Sequence, residues 1–467
     1  MKTYGKISTL SLFKILTNVT VLAITVILSR NIEPGVYGLF RKLLVYFLFF
    51  SKLMTLGFPN SILKYSKNND IPYNKDLISR SIISISPVLV GILIISICVL
   101  VFIGKLSYLG LLVVFILLVY LNMAESSFMV VNHPILSGLF SFFLKGGLFL
   151  VPGLLLLATN NTVLTFNLSI IYLSIVLICF LIIVGFQIKK SYNLDISLKK
   201  HFRFSATVWF ASLAGAVFLQ SDKIIVSLLK DNATFAIFSN GAFEIPVIGI
   251  INGAIFISIT PTLSQYFAEG KLDKTAQLWK RVSQKCMLIL LPVFSFFVFR
   301  SKDVMVLLFS EYYIKSTGIF LLYLFFIPLR VYIFSGILMA TDEQGYYFKI
   351  GMIAAIINVI LTYILVRFIS IYFAPITTLT VTVFMDILYF RKVGKVCNKK
   401  IREIFIYKEI VVVLLISLIL SFAIQKFIFI DNEYMNIVVN FVVFSLLIIM
   451  SYIALKYVSI KKICKRI

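Results

Sequence analysis

Apolar runs of about 20 residues, each ended by a short cluster of charged or polar positions, recur from the start of the chain to its finish. A transmembrane α-helix needs roughly 20 predominantly apolar residues to cross the hydrocarbon of a bilayer. The pattern therefore predicts spans at 8–29, 36–58, 79–103, 108–129, 135–158, 163–186, 202–228, 236–260, 284–308, 313–340, 346–368, 370–392, 408–428 and 434–457. The second, seventh, eighth and tenth are the least uniformly apolar. Fourteen spans with short connections leave no room for a sizeable soluble module.

Composition agrees with a chain that faces lipid: 60% of residues are hydrophobic, 13% are charged, and mean hydropathy is +1.03. The net charge of +25 would suggest a nucleic-acid partner in a soluble protein. Its placement points elsewhere. With a cytoplasmic N-terminus, 29 Lys and Arg residues fall in inside segments and 8 in outside segments. That bias places both termini in the cytoplasm of a bacterium and the chain in its inner membrane, with no nucleic acid needed. Lys2 and Lys6 before the first run mimic a secretory leader, but no small-residue cleavage site follows, so the run is read as the first span. The scattered cysteines form no CxxC pair, and with only His133 and His201 to join them neither a metal nor another cofactor is expected.

A weak internal repeat appears at an offset of 198 residues. Ile27, Ser29, Glu33, Tyr37, Gly38 and Phe40 align with Ile225, Ser227, Asp231, Phe235, Ala236 and Phe238. The offset equals six spans, an even number that preserves orientation. The expected fold is therefore an all-α membrane protein of two six-helix bundles related as parallel repeats, with the site between them. Residues 1–190 would form the first bundle, 191–400 the second, and 401–467 two additional helices with a basic tail.

An ionisable residue at membrane depth costs at least ~2.5–3.5 kcal/mol unless it meets water or a partner, so such residues are candidates for the transport pathway. Lys14, Arg41, Lys42, Lys52, Lys145, Lys223 and Arg330 lie within spans or at their edges, against Glu125, Asp222, Glu244 and Asp386. Snorkelling to the headgroups accounts for Arg41, Lys42, Glu125 and Asp386, which lie near span ends. Lys14 stands between that reading and a cavity role. Lys52, Lys145, Lys223, Arg330 and Glu244 sit deeper in apolar runs. Asp222 and Lys223 either neutralise each other or take part in function. Cations in a water-filled cavity are what pyrophosphate binding requires. Pro87, Pro152, Pro246, Pro292, Pro328 and Pro375 interrupt spans, as tolerated transmembrane prolines or as hinges. No nucleophile and base fall together.

Four stretches resemble one family, in order. Ile27 to Phe40, including Glu33-Pro34-Gly35-Val36-Tyr37-Gly38, resembles the turn after the first helix of polysaccharide flippases of the multidrug/oligosaccharidyl-lipid/polysaccharide exporter superfamily. Gln220-Ser221-Asp222-Lys223 resembles their seventh-helix Q-x-D-[RK]. Thr260-Pro261-Thr262-Leu263-Ser264 with Glu269-Gly270 resembles the segment after their eighth helix, and Ile357-Asn358-Val359 the signature on their eleventh. Arg41 departs from the small or apolar residue usual there. The resemblance implies alternating access by two facing bundles, exporting an undecaprenyl-pyrophosphate-linked oligosaccharide for O-antigen, capsule or another surface polysaccharide. Lys14, Lys52, Lys145, Lys223 and Arg330 would bind the cargo, and Asp222 or Glu244 would couple to H+ or Na+ unless the membrane potential suffices. Expected partners are the lipid-linked oligosaccharide, membrane lipids, a polysaccharide polymerase and glycosyltransferases, with a monomer as the working unit. A lipid II flippase and a cation-coupled multidrug exporter share the fold; the exporter would want acids prevailing in its cavity. An enzyme of glycan polymerisation would need a large outside loop, which the pattern does not provide.

Overall fold

A computed structural model describes residues 2–67, 70–131, 134–185, 198–428 and 430–464. His133 and the basic residues Lys189, Lys190, Lys465 and Arg466 fall outside the described residues, as does the side chain of Lys14. Every regular element described is a helix. Among the described residues, eleven helical segments are long and apolar enough to cross a membrane, and a shorter apolar stretch covers Ile15–Asn31. The eleven overlap expected spans, although the one expected at 284–308 runs instead over Leu272–Phe299 and breaks at Arg300. Of the remaining expected spans, the one at 36–58 falls short of that standard because Arg41, Lys42 and Lys52 share one short helix.

The chain divides into two compact units, Met1–Ala236 and Ile237–Ile467. The first contains α1 (Lys2–Asn31), α2 (Pro34–Met54), α3 (Phe58–Tyr65), α4 (Ile71–Phe102), α5 (Leu109–Leu121), α6 (Ala124–Val130), α7 (Pro134–Ser141), α8 (Gly147–Thr159), α9 (Thr162–Val184) and α10 (Leu198–Leu229), and α11 (Asn232–Gly241) runs across the division. α1 lies against α7 and α8, and α5 against α9 and α2. α10, placed in the second bundle by the sequence, packs on α2 and α3 in the first unit: Trp209 donates its indole N–H to the Leu53 carbonyl at 2.7 Å. The third span starts earlier than expected, at Ile71, because Asp70 caps it by accepting from the Tyr73 N–H at 3.0 Å. That extension brings Asp76 and Arg80 into one helix, where they pair at 3.2 Å with Asp76 buried.

The corner between α1 and α2 explains the first family-like stretch. Tyr37 and Phe40 are fully buried, and α2 approaches so closely that a Cβ on Gly38 would lie 1.8 Å from the Asn232 carbonyl oxygen. Only a residue without a side chain fits there.

The second unit contains α12 (Pro246–Ala268), α13 (Leu272–Phe299), α14 (Ser301–Phe309), α15 (Ser316–Leu324), α16 (Phe326–Leu329), α17 (Phe334–Ala340), α18 (Gln344–Phe368), α19 (Phe373–Val396), α20 (Ile401–Ile404), α21 (Tyr407–Phe427) and α22 (Glu433–Cys464). α21 and α22, expected as an appendix, pack on α13 through Phe296, Ile424, Phe444 and Ile448. The buried Trp279 is ringed by Tyr332, Phe334 and Phe390, with centroids 5.5, 5.6 and 6.0 Å away. Asn358 is fully buried and accepts from Thr378 on α19 at 3.2 Å, so the eleventh-span signature supplies polar adhesion between two apolar helices.

Two of the interrupted spans break beside a proline and leave a charged candidate at the break. The run 236–260 ends as α11 at Gly241 and restarts at Pro246, which leaves Glu244 in a non-helical break. Pro246 has no N–H to continue a helix and drives Ile245 to an extended ψ of 113°. The run 313–340 is likewise cut around Pro328, with Arg330–Ile333 between α16 and α17.

Candidate functional site

These two breaks meet. Arg330, half-buried at the end of α16, donates from Nη2 to Glu244 Oε2 at 3.1 Å, across 86 positions of sequence. Asn252, on the second turn of α12, donates to the Arg330 carbonyl oxygen at 3.4 Å, one of the acceptors a helix end leaves open. Trp279 Nε1 donates to the Ile333 carbonyl at 3.3 Å, and the Tyr332 hydroxyl accepts from the Ile406 N–H at 2.9 Å. The aromatic cluster thus fixes the α16–α17 break from its buried side. Non-helical backbone at membrane depth is tolerated where protein or a wet cavity satisfies it, and transporters place substrate and ion sites at such interrupted helices.

The pair has a definite chemistry. Arg330 presents a planar donor fork suited to an oxyanion, and Glu244 holds it while no other anion competes. Glu244 is 48% exposed and Arg330 31%, so both remain open to exchange.

The first unit holds the remaining candidates, on separate elements. Lys52 is exposed in the last turn of α2, where a cation also complements the helix dipole. Lys145 is exposed on a π-helical turn, Phe142–Gly146, where the Tyr172 hydroxyl donates to the Phe143 carbonyl at 2.6 Å. Such turns interrupt the regular ladder and recur at functional positions. Lys223 is half-buried on α10, and its N–H donates to Asp222 Oδ1 at 2.7 Å, so Asp222, 3% exposed, folds onto its own backbone. No hydrogen bond or ion pair described joins Lys52, Lys145 and Lys223 to one another.

Arg41, assigned above to snorkelling, turns inward and donates from Nη1 to Thr25 Oγ1 at 3.2 Å, beside α1. Tyr46 and Ser227 share a hydrogen bond of 2.8 Å one turn further along α2. Lys42 donates from Nζ to the Lys230 carbonyl oxygen, just past the end of α10, at 3.5 Å. The signal for Arg41 was its departure from the usual small residue. Thr25 carried none, because a hydroxyl inside a span normally returns to its own helix, as this one also does to Val21. The Asp76–Arg80 pair was legible from its four-residue spacing.

The family model described as polysaccharide biosynthesis protein matches residues 5–267. No curated protein matches the chain. Among solved structures, the lipid II flippase MurJ in an inward closed conformation is similar with a TM-score of 0.66 at 16% identity, covering 97% of this chain and 99% of that one. An inward-facing multidrug resistance transporter of the MATE family, in the MOP superfamily, reaches 0.56 at 13% identity over 83% of this chain and 98% of that one. A MOP superfamily transporter from Pyrococcus furiosus, for which reverse polarity of the binding pocket suggests a different function, reaches 0.54 at 14% identity, covering 84% and 96%. At these identities the likeness is one of fold.

Proposed function

Since the chain belongs to the polysaccharide biosynthesis protein family and has a flippase-type transporter fold, we propose that its cargo is an undecaprenyl-pyrophosphate-linked oligosaccharide moved to the outer leaflet by alternating access. The observation that carries this reading is the Arg330–Glu244 pair at two helix breaks within expected spans, a cation held ready by an exchangeable anion. An arriving pyrophosphate displaces the carboxylate from the guanidinium. Protonation of Glu244 releases Arg330 in the same way, which gives a route for coupling to H+; Asp222, buried on α10, is the second candidate for ion coupling. Lys14, Lys52, Lys145 and Lys223 supply further positive charge along the path.

Outward movement is favoured by the potential. Carrying a net charge of about −2 from a negative interior yields roughly 4–5 kcal/mol per 100 mV, at ~2.3 per charge. No separate energy source is then needed to bias direction. The export step serves a surface polysaccharide such as O-antigen or capsule, with glycosyltransferases upstream and a polymerase downstream.

The test is flux of a fluorescent lipid-linked oligosaccharide diphosphate in proteoliposomes. The variant with Lys52, Lys145, Lys223 and Arg330 all changed to Gln should fall to background, whereas Glu244→Gln alone should keep flux while losing its dependence on a pH gradient. Undiminished flux in the four-cation variant would sink the cationic-path reading. Drug efflux without lipid flux would point to an exporter, and flux confined to lipid II would reassign the cargo.

A further inference from the structure

The end of α19 carries a second concentration of charge that the helix breaks do not use. Arg391, Lys392, Lys395, Lys399, Lys400 and Arg402 line a cavity of about 1050 Å³ together with Tyr346 at the start of α18. By the charge bias of the loops this is the cytoplasmic side.

The concave shape is built by the backbone. Asn398 takes a left-handed φ of 50°, and the Lys399 N–H donates back to the Gly394 carbonyl at 2.9 Å, so the chain reverses over the last turn of α19. A Cβ on Gly394 would stand 2.9 Å from the Lys399 carbonyl oxygen, so this reversal needs glycine. At the far end Lys280 Nζ donates to the Glu403 carbonyl at 2.8 Å, which ties the loop to α13.

The charges do not cancel. Lys392 pairs with Glu343 at 2.7 Å, and Lys399 pairs with Asp273 at 2.6 Å and lies 3.9 Å from Glu403. Six cations against these three carboxylates leave an excess of three. Arg391, Lys395, Lys400 and Arg402 are exposed and, among the described residues, enter no ion pair. Retention of cations on the cytoplasmic side and the dipole of α19 explain why bases collect here. Neither explains why four of them are left unpaired around a fixed hollow. Beside the hollow, Phe384 and Ile387 expose 65% and 43% of their surface on α19, an apolar track of the kind an acyl chain follows.

We infer that this cavity binds the headgroup of an anionic membrane lipid bearing two phosphates, seated where α19 leaves the bilayer. A basic hollow between transmembrane helices on the cytoplasmic face suits such headgroups. Two phosphates match the excess charge, and the apolar track favours a lipid over a free anion. Neither Arg330 nor Glu244 lines this hollow, and the assignment does not depend on which cargo is carried.

The experiment is binding of fluorescent diphosphatidylglycerol to the purified full chain in neutral detergent, with phosphatidylglycerol at matched charge and inorganic pyrophosphate as competitors. Diphosphatidylglycerol should bind in preference to phosphatidylglycerol, with affinity that falls as salt rises. Changing Arg391, Lys395, Lys400 and Arg402 to Gln should weaken binding by roughly 100-fold or more, at about fivefold for each cation near a headgroup. Lys395→Gln with Lys400→Gln should lose roughly 25-fold and guards against misfolding of the fourfold variant. Lys302→Gln, an exposed cation elsewhere, should change nothing. Equal competition by phosphatidylglycerol at matched charge, competition by pyrophosphate as strong as by the lipid, or full binding by both groove variants would overturn the assignment. Flux of the oligosaccharide lipid is a separate readout, so failure here leaves the cargo reading standing.

Discussion

The α1–α2 corner and the corner between α10 and α11, 198 residues apart, carry one pattern and use it differently. Tyr37 and Phe40 in the first match Phe235 and Phe238 in the second, and all four are fully buried. Glu33 and Asp231 both stand just before the second helix of their corner. Asp231 caps α11, accepting from the Thr234 N–H at 2.9 Å and its hydroxyl at 2.6 Å; Glu33 makes no side-chain cap on α2. The cations are exchanged as well. In the first corner Arg41 lies on the second arm and reaches Thr25 on the first. At the matching positions of the second corner, Lys223 lies on the first arm and Ser239 on the second. The two corners share their buried aromatics and carry their charge on opposite arms. The lesson is that packing constrains the repeat, while the polar positions are free to diverge.

The comparison breaks most severely at its tightest point. Gly38→Val forces a branched side chain onto the Asn232 carbonyl and should abolish recovery of monodisperse protein, read by fluorescence-detected size exclusion. Ala236→Gly at the matching position should be recovered normally. Equal yields for both would refute the claim that only the first corner demands glycine.

A middle-sized effect tests the exchanged charge. Thr25→Val removes the acceptor of Arg41 and should cost about 1 kcal/mol, in the range of polar contacts between membrane helices. Thermal melting in detergent would show it, and the loss should vanish when Arg41 is already Gln. An additive double variant would mean that the two side chains do not cooperate.

The smallest effect separates the two acids. Asp231→Ala should lose about 1 kcal/mol of cap, whereas Glu33→Ala should stay within about 0.5 kcal/mol. Hydrogen bonds from the Thr234 hydroxyl and then its N–H hold Asp231 below the ordinary value of 3.8. Folding lowers this pKa, so the contribution is complete above the ordinary value and is lost as pH falls through the lower one. Melting followed down to pH 3 should show that loss in the wild type but not in Asp231→Asn, which keeps a neutral cap. An identical acid response in both would remove the charge from the argument.

Much of the fold was legible because lipid imposes a simple rule on sequence. Eleven expected spans appear as helices of membrane-crossing length, since a run of apolar residues has no other stable way to cross a bilayer. The breaks at Glu244 and Arg330 were less legible. Pro246 and Pro328 marked both places, but a transmembrane proline kinks some helices and ends others, and the outcome depends on whether neighbours satisfy the freed backbone groups. Here Asn252 and Trp279 do so for the second break, and neither residue announces that role in the chain.

The same division holds for the charges. Sequence alone named Arg330 and Glu244 as candidates, because hydropathy reports the cost of a charge at depth. It could not pair them, since 86 residues of chain carry no record of which side chains meet. It collected Arg391 to Arg402 as loop cations but did not show the hollow, which exists only because Gly394 and Asn398 reverse the chain over the end of α19. Apolar helical runs and family are one-dimensional properties, written in local composition and order. The pairing of two helix breaks and the curvature of a basic groove are decided by distances between remote segments, and those arise only when the helices pack.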